Sequence, residues 1–159
     1  YMLGGGFLNS RLATRIRQND GLSYGVGSWF NGSSYDENGN FGAYAISAPE
    51  NTAKVQAAFK EEIMKVIEEG FTEEELEAAK TGWLQSQDVS RSQDRSLMSS
   101  LNSNLRLDRD MMWSQALEDK IASLTVEDVN AAFKRHIHPD KMVYVRAGDF
   151  EKLKENLKP

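Results

Sequence analysis

Cysteine is absent from these 159 residues, histidine occurs twice and proline three times. Without thiols there are no disulfides, thiolate zinc sites, iron–sulfur clusters or cysteine nucleophiles, and both cytoplasm and periplasm stay open for a bacterial chain. No stretch approaches the ~20 apolar residues of a membrane-spanning helix, and no basic-then-apolar signal segment opens the chain. Positive charge is also scarce: 19 basic residues against 24 acidic ones leave a net charge of −5. The basic residues are scattered, so no patch could neutralise a row of phosphates and nucleic acid is not expected as a partner.

What is present belongs to a globular chain. Hydrophobic residues make up 40% and charged residues 27% of the sequence, outside the range of disordered or collagen-like chains. A mass of 17.9 kDa predicts roughly 8,000 Å² of folded surface against roughly 26,000 Å² unfolded, enough burial for one core. A single domain over residues 1–159 is expected. Tyr1-Met2-Leu3-Gly4-Gly5-Gly6 reads as the tail of a helix whose body lies upstream, so the domain is expected to be partial, truncated at its N-terminus.

Ser10 is a suitable N-cap for a short helix through Leu12 and Ile16 to about Asp20, with Gly21 as its left-handed stop. Two extended segments, Leu22 to about Tyr35 and Phe41 to Ala48, flank Asp36-Glu37-Asn38-Gly39 and predict an antiparallel hairpin. Gly25, Gly27 and Gly42 would weaken ordinary strands; they mark either close approach by another backbone or loose packing near a helix. After Pro49, Asn51 is placed to cap a helix whose Val55, Ala58, Phe59, Ile63, Val66 and Ile67 form one stripe ending at Gly70. Thr72 and Glu75 make a capping box, with Phe71 and Leu76 as a hydrophobic staple. Beyond Trp83 the polar chain keeps Leu97, Leu101 and Leu105 at helical spacing, predicting that this helix continues with a narrow apolar seam. Asp108 is expected to cap a helix through Met112, Ala116 and Ile121. Leu124-Thr125-Val126-Glu127-Asp128-Val129 repeats the cap-and-staple signature. Met142 to Ala147 is expected as a third strand, and Gly148-Asp149 as the start of a terminal helix with Phe150, Leu153 and Leu157 inward. Three strands and about six helices predict an α+β fold, with a mostly antiparallel sheet and helices packed on one face.

Little in this pattern carries chemistry by itself. His136 and His138 are two residues apart, a spacing that points them in different directions near a helix end, so no metal site is expected. The acidic run Glu73 to Glu77 fits the first turn of a helix better than a catalytic carboxylate pair. Gly4 to Gly6 lack the spacing and the lysine of a phosphate loop and read as a turn. Asn31-Gly32-Ser33 matches the glycosylation triplet, a pattern common by chance. Only two histidines could serve as base, both in one short segment far from the hairpin in sequence, which disfavours a serine nucleophile. Arg17 and Tyr24 remain, at a helix end and at the strand after it. A guanidinium fork and a phenol could together grip peptide carbonyls or an oxyanion. The residues alone favour a solvated helix end and a core or interface aromatic.

Leu3-Gly4-Gly5-Gly6, Ser10-Arg11-Leu12, and Arg17 followed by Gly21-Leu22-Ser23-Tyr24 resemble the pitrilysin/insulinase family of inverted-motif zinc metallopeptidases, specifically its non-catalytic C-terminal-type domain. Gly39-Asn40-Phe41, Glu69 to Leu76, Leu124 to Val129 and Ala147-Gly148-Asp149 follow in the order that family uses. The resemblance implies a LuxS/insulinase-type α+β domain, one half of a clam-like peptidase. It implies that Tyr24 donates a hydrogen bond to the scissile carbonyl as it becomes tetrahedral and that Arg17 holds substrate backbone. No H-x-x-E-H occurs, so the resemblance places zinc, its water and the general base on a partner catalytic domain or subunit, and predicts that this piece alone is inactive. Peptide substrate is the second implied partner, and an exposed sheet edge would allow self-association. Two other functions stay open: a purely structural subunit sharing the fold, and a peptide-binding module without proteolysis.

Overall fold

The computed structural model describes residues 1–6 and 9–150. After a turn at residues 2–5 the chain winds into a π-helix, Ala13–Asn19, and then into strand β1 (Gly25–Gly32). β2 (Gly39–Ile46) pairs antiparallel with β1, Phe30 opposite Phe41 and Gly25 opposite Ile46. Five α-helices follow: α1 (Thr52–Glu69), α2 (Glu73–Arg91), α3 (Asp94–Arg106), α4 (Met111–Ala122) and α5 (Val126–His136). Short 3₁₀ turns, Pro49–Asn51 and Pro139–Lys141, precede α1 and follow α5. The fold is α+β, as the residue pattern predicts.

One face of the hairpin builds the core. Val26, Phe41 and Ala43 pack against Leu3, Leu12, Ile16, Ala58, Ile63, Val66 and Phe71, while Trp29 and Tyr44 on the other face are exposed. Helices therefore cover one side of the sheet. The α1 stripe lies in this cluster as its spacing requires. Both capping boxes form: Thr72 accepts from the Glu75 N–H while Glu75 accepts from the Thr72 N–H, and Thr125 and Asp128 do the same. Phe71 and Leu76, the expected staple, are both buried.

The glycines of the hairpin have a local cause. Trp29 lies opposite Gly42 and Tyr44 opposite Gly27 on the outer face. A Cβ on Gly42 would fall 2.6 Å from Trp29 Cε2, and one on Gly27 would fall 2.9 Å from Tyr44 Cε1. Each ring occupies the space that its cross-strand neighbour leaves empty, and the two rings sit 6.3 Å apart. The close approach is by aromatic side chains rather than by a second backbone. Gly4 is different: its carbonyl accepts from the Ser28 N–H at 3.1 Å, and a Cβ there would sit 2.6 Å from Ser28 Oγ. The triple glycine thus begins where the N-terminal turn presses on β1.

Four expectations are corrected. The helix begun at Thr72 does not run through to Leu105: it stops at Arg91 and α3 starts at Asp94. Ser92 Oγ donates to the Val89 carbonyl at 2.7 Å, a side-chain bond that competes with helix continuation. Leu101 and Leu105 face outward, 46% and 78% exposed, rather than forming a buried seam. Asp110, not Asp108, caps α4, accepting from the Trp113 N–H at 3.0 Å. Asp108 instead adopts φ 52°, the left-handed turn that ends α3, a conformation aspartate tolerates. Met142–Ala147 forms no strand. It lines, with β2 and with Val55 and Phe59 of α1, a groove of about 830 Å³, and it does not join the β1–β2 sheet. Tyr144 still packs edge-on against Phe59, ring centroids 6.2 Å apart. The expected terminal helix lies mostly outside the described residues, Leu153 and Leu157 included. The surface, 11,215 Å², exceeds the roughly 8,000 Å² expected of a compact chain of this mass. Val143 and Val145, 88% and 87% exposed, show where part of the excess arises.

Candidate functional site

Arg17 and Tyr24 are brought together. The helix carrying Arg17 is wound with wide turns: the Asp20 N–H donates to the Arg15 carbonyl at 3.0 Å, a spacing of five residues. Gly21 follows at φ +62°, a conformation an L side chain rarely adopts, and turns the chain toward β1. The Leu22 N–H closes this turn on the Ile16 carbonyl at 2.9 Å. Ser23 is buried, its Oγ 2.6 Å from the Ile46 carbonyl oxygen and 3.0 Å from that of Gly25. Its single proton goes to the nearer oxygen and pins the root of Tyr24 to the end of β2. Tyr24 itself is 84% exposed, and Arg17 Cζ stands 4.4 Å from its ring centroid. A cation over a phenol face at that distance is an attractive contact. The arrangement presents several N–H donors and one O–H donor side by side at the surface.

Arg15 braces the same turn. Its Nη1 donates to Asp20 Oδ1 and its Nη2 to Glu61 Oε2 of α1, each at 2.7 Å. The Glu61 hydrogen bond first, then the Asp20 charge, hold this guanidinium protonated above its ordinary range. No sequence signal marks Arg15, because its partners lie across the fold or at a five-residue spacing that α-helical patterns do not contain; Ser23 stands in the Gly21-Leu22-Ser23-Tyr24 run, but nothing there points to the Ile46 carbonyl.

The other candidates carry no site. His136 and His138 are exposed at the rim of the β2 groove. Among the described residues no three His, Cys, Asp or Glu side chains converge as metal ligands. The described residues therefore do not fit a zinc ion. Glu75 is a structural partner: Arg11 Nε and Nη2 donate to its two oxygens at 2.6 and 2.7 Å, and Nη2 also donates to the Gly70 carbonyl at 2.8 Å. Neither Arg17 nor Tyr24 lines the β2 groove.

The described residues form an α+β fold that sets a half-buried Arg17 beside an exposed Tyr24 and brings no cluster of metal ligands together. Residues 1–82 match the family described as the peptidase M16 inactive domain, and the chain belongs to that family. It is 26% identical over 155 residues to the non-peptidase homolog YmxG of Helicobacter pylori, covering 97% of this chain and 35% of that protein. It is 33% identical over 130 residues to the uncharacterized zinc protease SCO5738 of Streptomyces coelicolor, covering 81% of this chain and 28% of that one. The solved peptidase M16 inactive domain from Pseudomonas fluorescens superimposes with a TM-score of 0.75 at 26% identity, over 88% of this chain and 33% of that one. The chain thus spans about a third of the length of these relatives, and it is related to zinc proteases.

Proposed function

We propose that this chain is the substrate-gripping half of a zinc endopeptidase, with Tyr24 donating its hydroxyl to the scissile carbonyl oxygen as that oxygen gains charge. Arg17 holds the neighbouring substrate backbone through its remaining N–H groups. The observation that carries this reading is the pairing itself: an 84%-exposed tyrosine with a guanidinium 4.4 Å from its ring. An exposed aromatic held by a fixed root and a stacked cation is arranged for an incoming acceptor, and donors set in place before the reaction need no reorganisation when charge develops. Hydrolytic chemistry is assigned to a partner domain or subunit bearing the metal, because the described residues supply no ligand set.

The experiment uses the longer protein containing both halves. Tyr24→Phe removes one donor to the developing oxyanion and should lower the turnover number by about 10²- to 10³-fold with the fold intact. Unchanged turnover would favour the second reading, a structural domain without a part in proteolysis. The resemblance to a protein named as a non-peptidase homolog supports that alternative.

A further inference from the structure

The helix that presents Arg17 is π-wound over seven residues, Ala13–Asn19. Such winding is rare, occurs mostly as single-turn bulges, and is frequent at functional sites, so a full segment of it needs something to hold it. Its consequence is angular. An α-helix advances about 100° per residue, so taking up one extra residue in a turn re-aims every later side chain by about that amount. Were the segment α-wound, the Asp20 N–H would seek the Ile16 carbonyl instead of that of Arg15, and Arg17 would swing away from Tyr24.

Residue 15 meets residue 20 twice: its carbonyl accepts from the Asp20 N–H at 3.0 Å, and its Nη1 donates to Asp20 Oδ1 at 2.7 Å. Its Nη2 reaches Glu61 of α1 at 2.7 Å. We propose that Arg15 is a positioning residue: by strapping Asp20 and Glu61 together it keeps the wide winding in place and thereby holds the Arg17 guanidinium over Tyr24. The Arg15 side chain is 33% exposed and that of Glu61 63%. Ion pairs this open contribute little to global stability, so the effect on geometry and the effect on stability separate. The value of this strap for catalysis rests on the function proposed above; the strap itself does not.

The test is NMR on the chain as it stands. Stacking on Tyr24 shifts the Arg17 side-chain protons upfield, and Tyr24→Leu supplies the unstacked reference. Arg15→Gln should move those resonances most of the way to that reference while the melting temperature changes little. Arg15→Lys, a single cation able to hold one carboxylate at a time, should fall between. Should Arg15→Gln fail to fold, Glu61→Gln removes only the α1 anchor and should show a partial shift. Resonances that stay at their wild-type positions in the folded variants overturn the inference. In the longer protein, Arg15→Gln should lower kcat/KM by about the factor that Arg17→Ala does, with no further loss when the two are combined. Shifts that collapse while kcat/KM holds would leave the strap standing and remove the proposed function instead.

Discussion

Glu75 gathers three hydrogen bonds on one carboxylate. It accepts two hydrogen bonds from Arg11 at 2.6 and 2.7 Å, and a third from the Thr72 N–H at 2.8 Å. The Arg11 guanidinium continues to the Gly70 carbonyl and stands 5.0 Å from the Phe71 ring centroid. One pair thereby joins the start of the first helix to the junction of α1 and α2. The Arg11 and Glu75 side chains are 14% and 29% exposed. That places the pair between surface pairs, which contribute about 0–1 kcal/mol, and fully buried ones, whose disruption costs about 3–5 kcal/mol. Glu75→Ala should accordingly destabilise by about 2–3 kcal/mol, since it strands a half-buried guanidinium and opens the capping box. For a chain of this size that lowers the melting temperature by roughly 4–12 °C. Glu75→Gln keeps an acceptor for the Thr72 N–H and should cost about 1–2 kcal/mol. Burial alone would raise the Glu75 pKa, but the Arg11 hydrogen bond, the Thr72 N–H and nearby positive charge outweigh it and hold the carboxyl below its ordinary value. A carboxylate lowered on folding stabilises above its unfolded pKa, and that contribution is lost as pH falls through the folded value. The penalty of Glu75→Gln should therefore be full at neutral pH and shrink below about pH 4.5, the ordinary glutamate range. The assay is urea unfolding followed by circular dichroism from pH 3 to 7. As a control, Asp88→Ala removes an exposed partner of Arg91, which keeps Glu118, and should cost under about 0.5 kcal/mol. A Glu75→Ala variant as stable as this control, or a Gln penalty that does not vary with pH, would refute the reasoning.

Two other substitutions test packing and polar pairing. Asn130 accepts from the Phe71 N–H at 2.7 Å and donates to the Phe71 carbonyl at 3.1 Å, so Asn130→Ala should cost about 2 kcal/mol in urea unfolding. A loss under about 0.5 kcal/mol would show that water replaces the amide. Gly42→Ala drives a methyl into the Trp29 ring and should cost about 1–3 kcal/mol while changing tryptophan emission; an unaltered spectrum and melt would mean that the ring moves aside freely. The metal expectation is checked by zinc titration of the isolated chain, where no stoichiometric binding should appear in calorimetry; a tight one-to-one isotherm would refute it.

Local rules made much of this architecture legible before any coordinates. Thr72 with Glu75 and Thr125 with Asp128 form the reciprocal caps their spacing predicts. The α1 stripe and the Gly70 stop, at φ +80°, follow from periodicity and glycine chemistry. What escaped depends on partners remote in sequence. Whether Met142–Ala147 becomes a strand is decided by a neighbouring edge, and the valine–tyrosine alternation carries no information about that edge. The leucines of α3 have helical spacing, but spacing cannot say whether anything lies opposite. Residue chemistry could set Arg17 beside Tyr24 as candidates, but only family resemblance gave the pair a role, because π-winding leaves no periodic trace in seven residues. Arg11 and Asn130 were not foreseeable, since each makes its bonds across 59 or more positions.

The hairpin rings imply a constraint on inheritance. A methyl at position 42 is resisted only while an indole lies across from it, so Trp29 and Gly42 form a lock that opens from position 29 alone. Once the indole is lost, alanine becomes acceptable opposite; until then, mutation at 42 meets a steric veto. Descendants of this chain should replace Trp29 before or together with Gly42, and a double replacement such as Trp29→Val with Gly42→Thr should be better tolerated than Gly42→Thr alone.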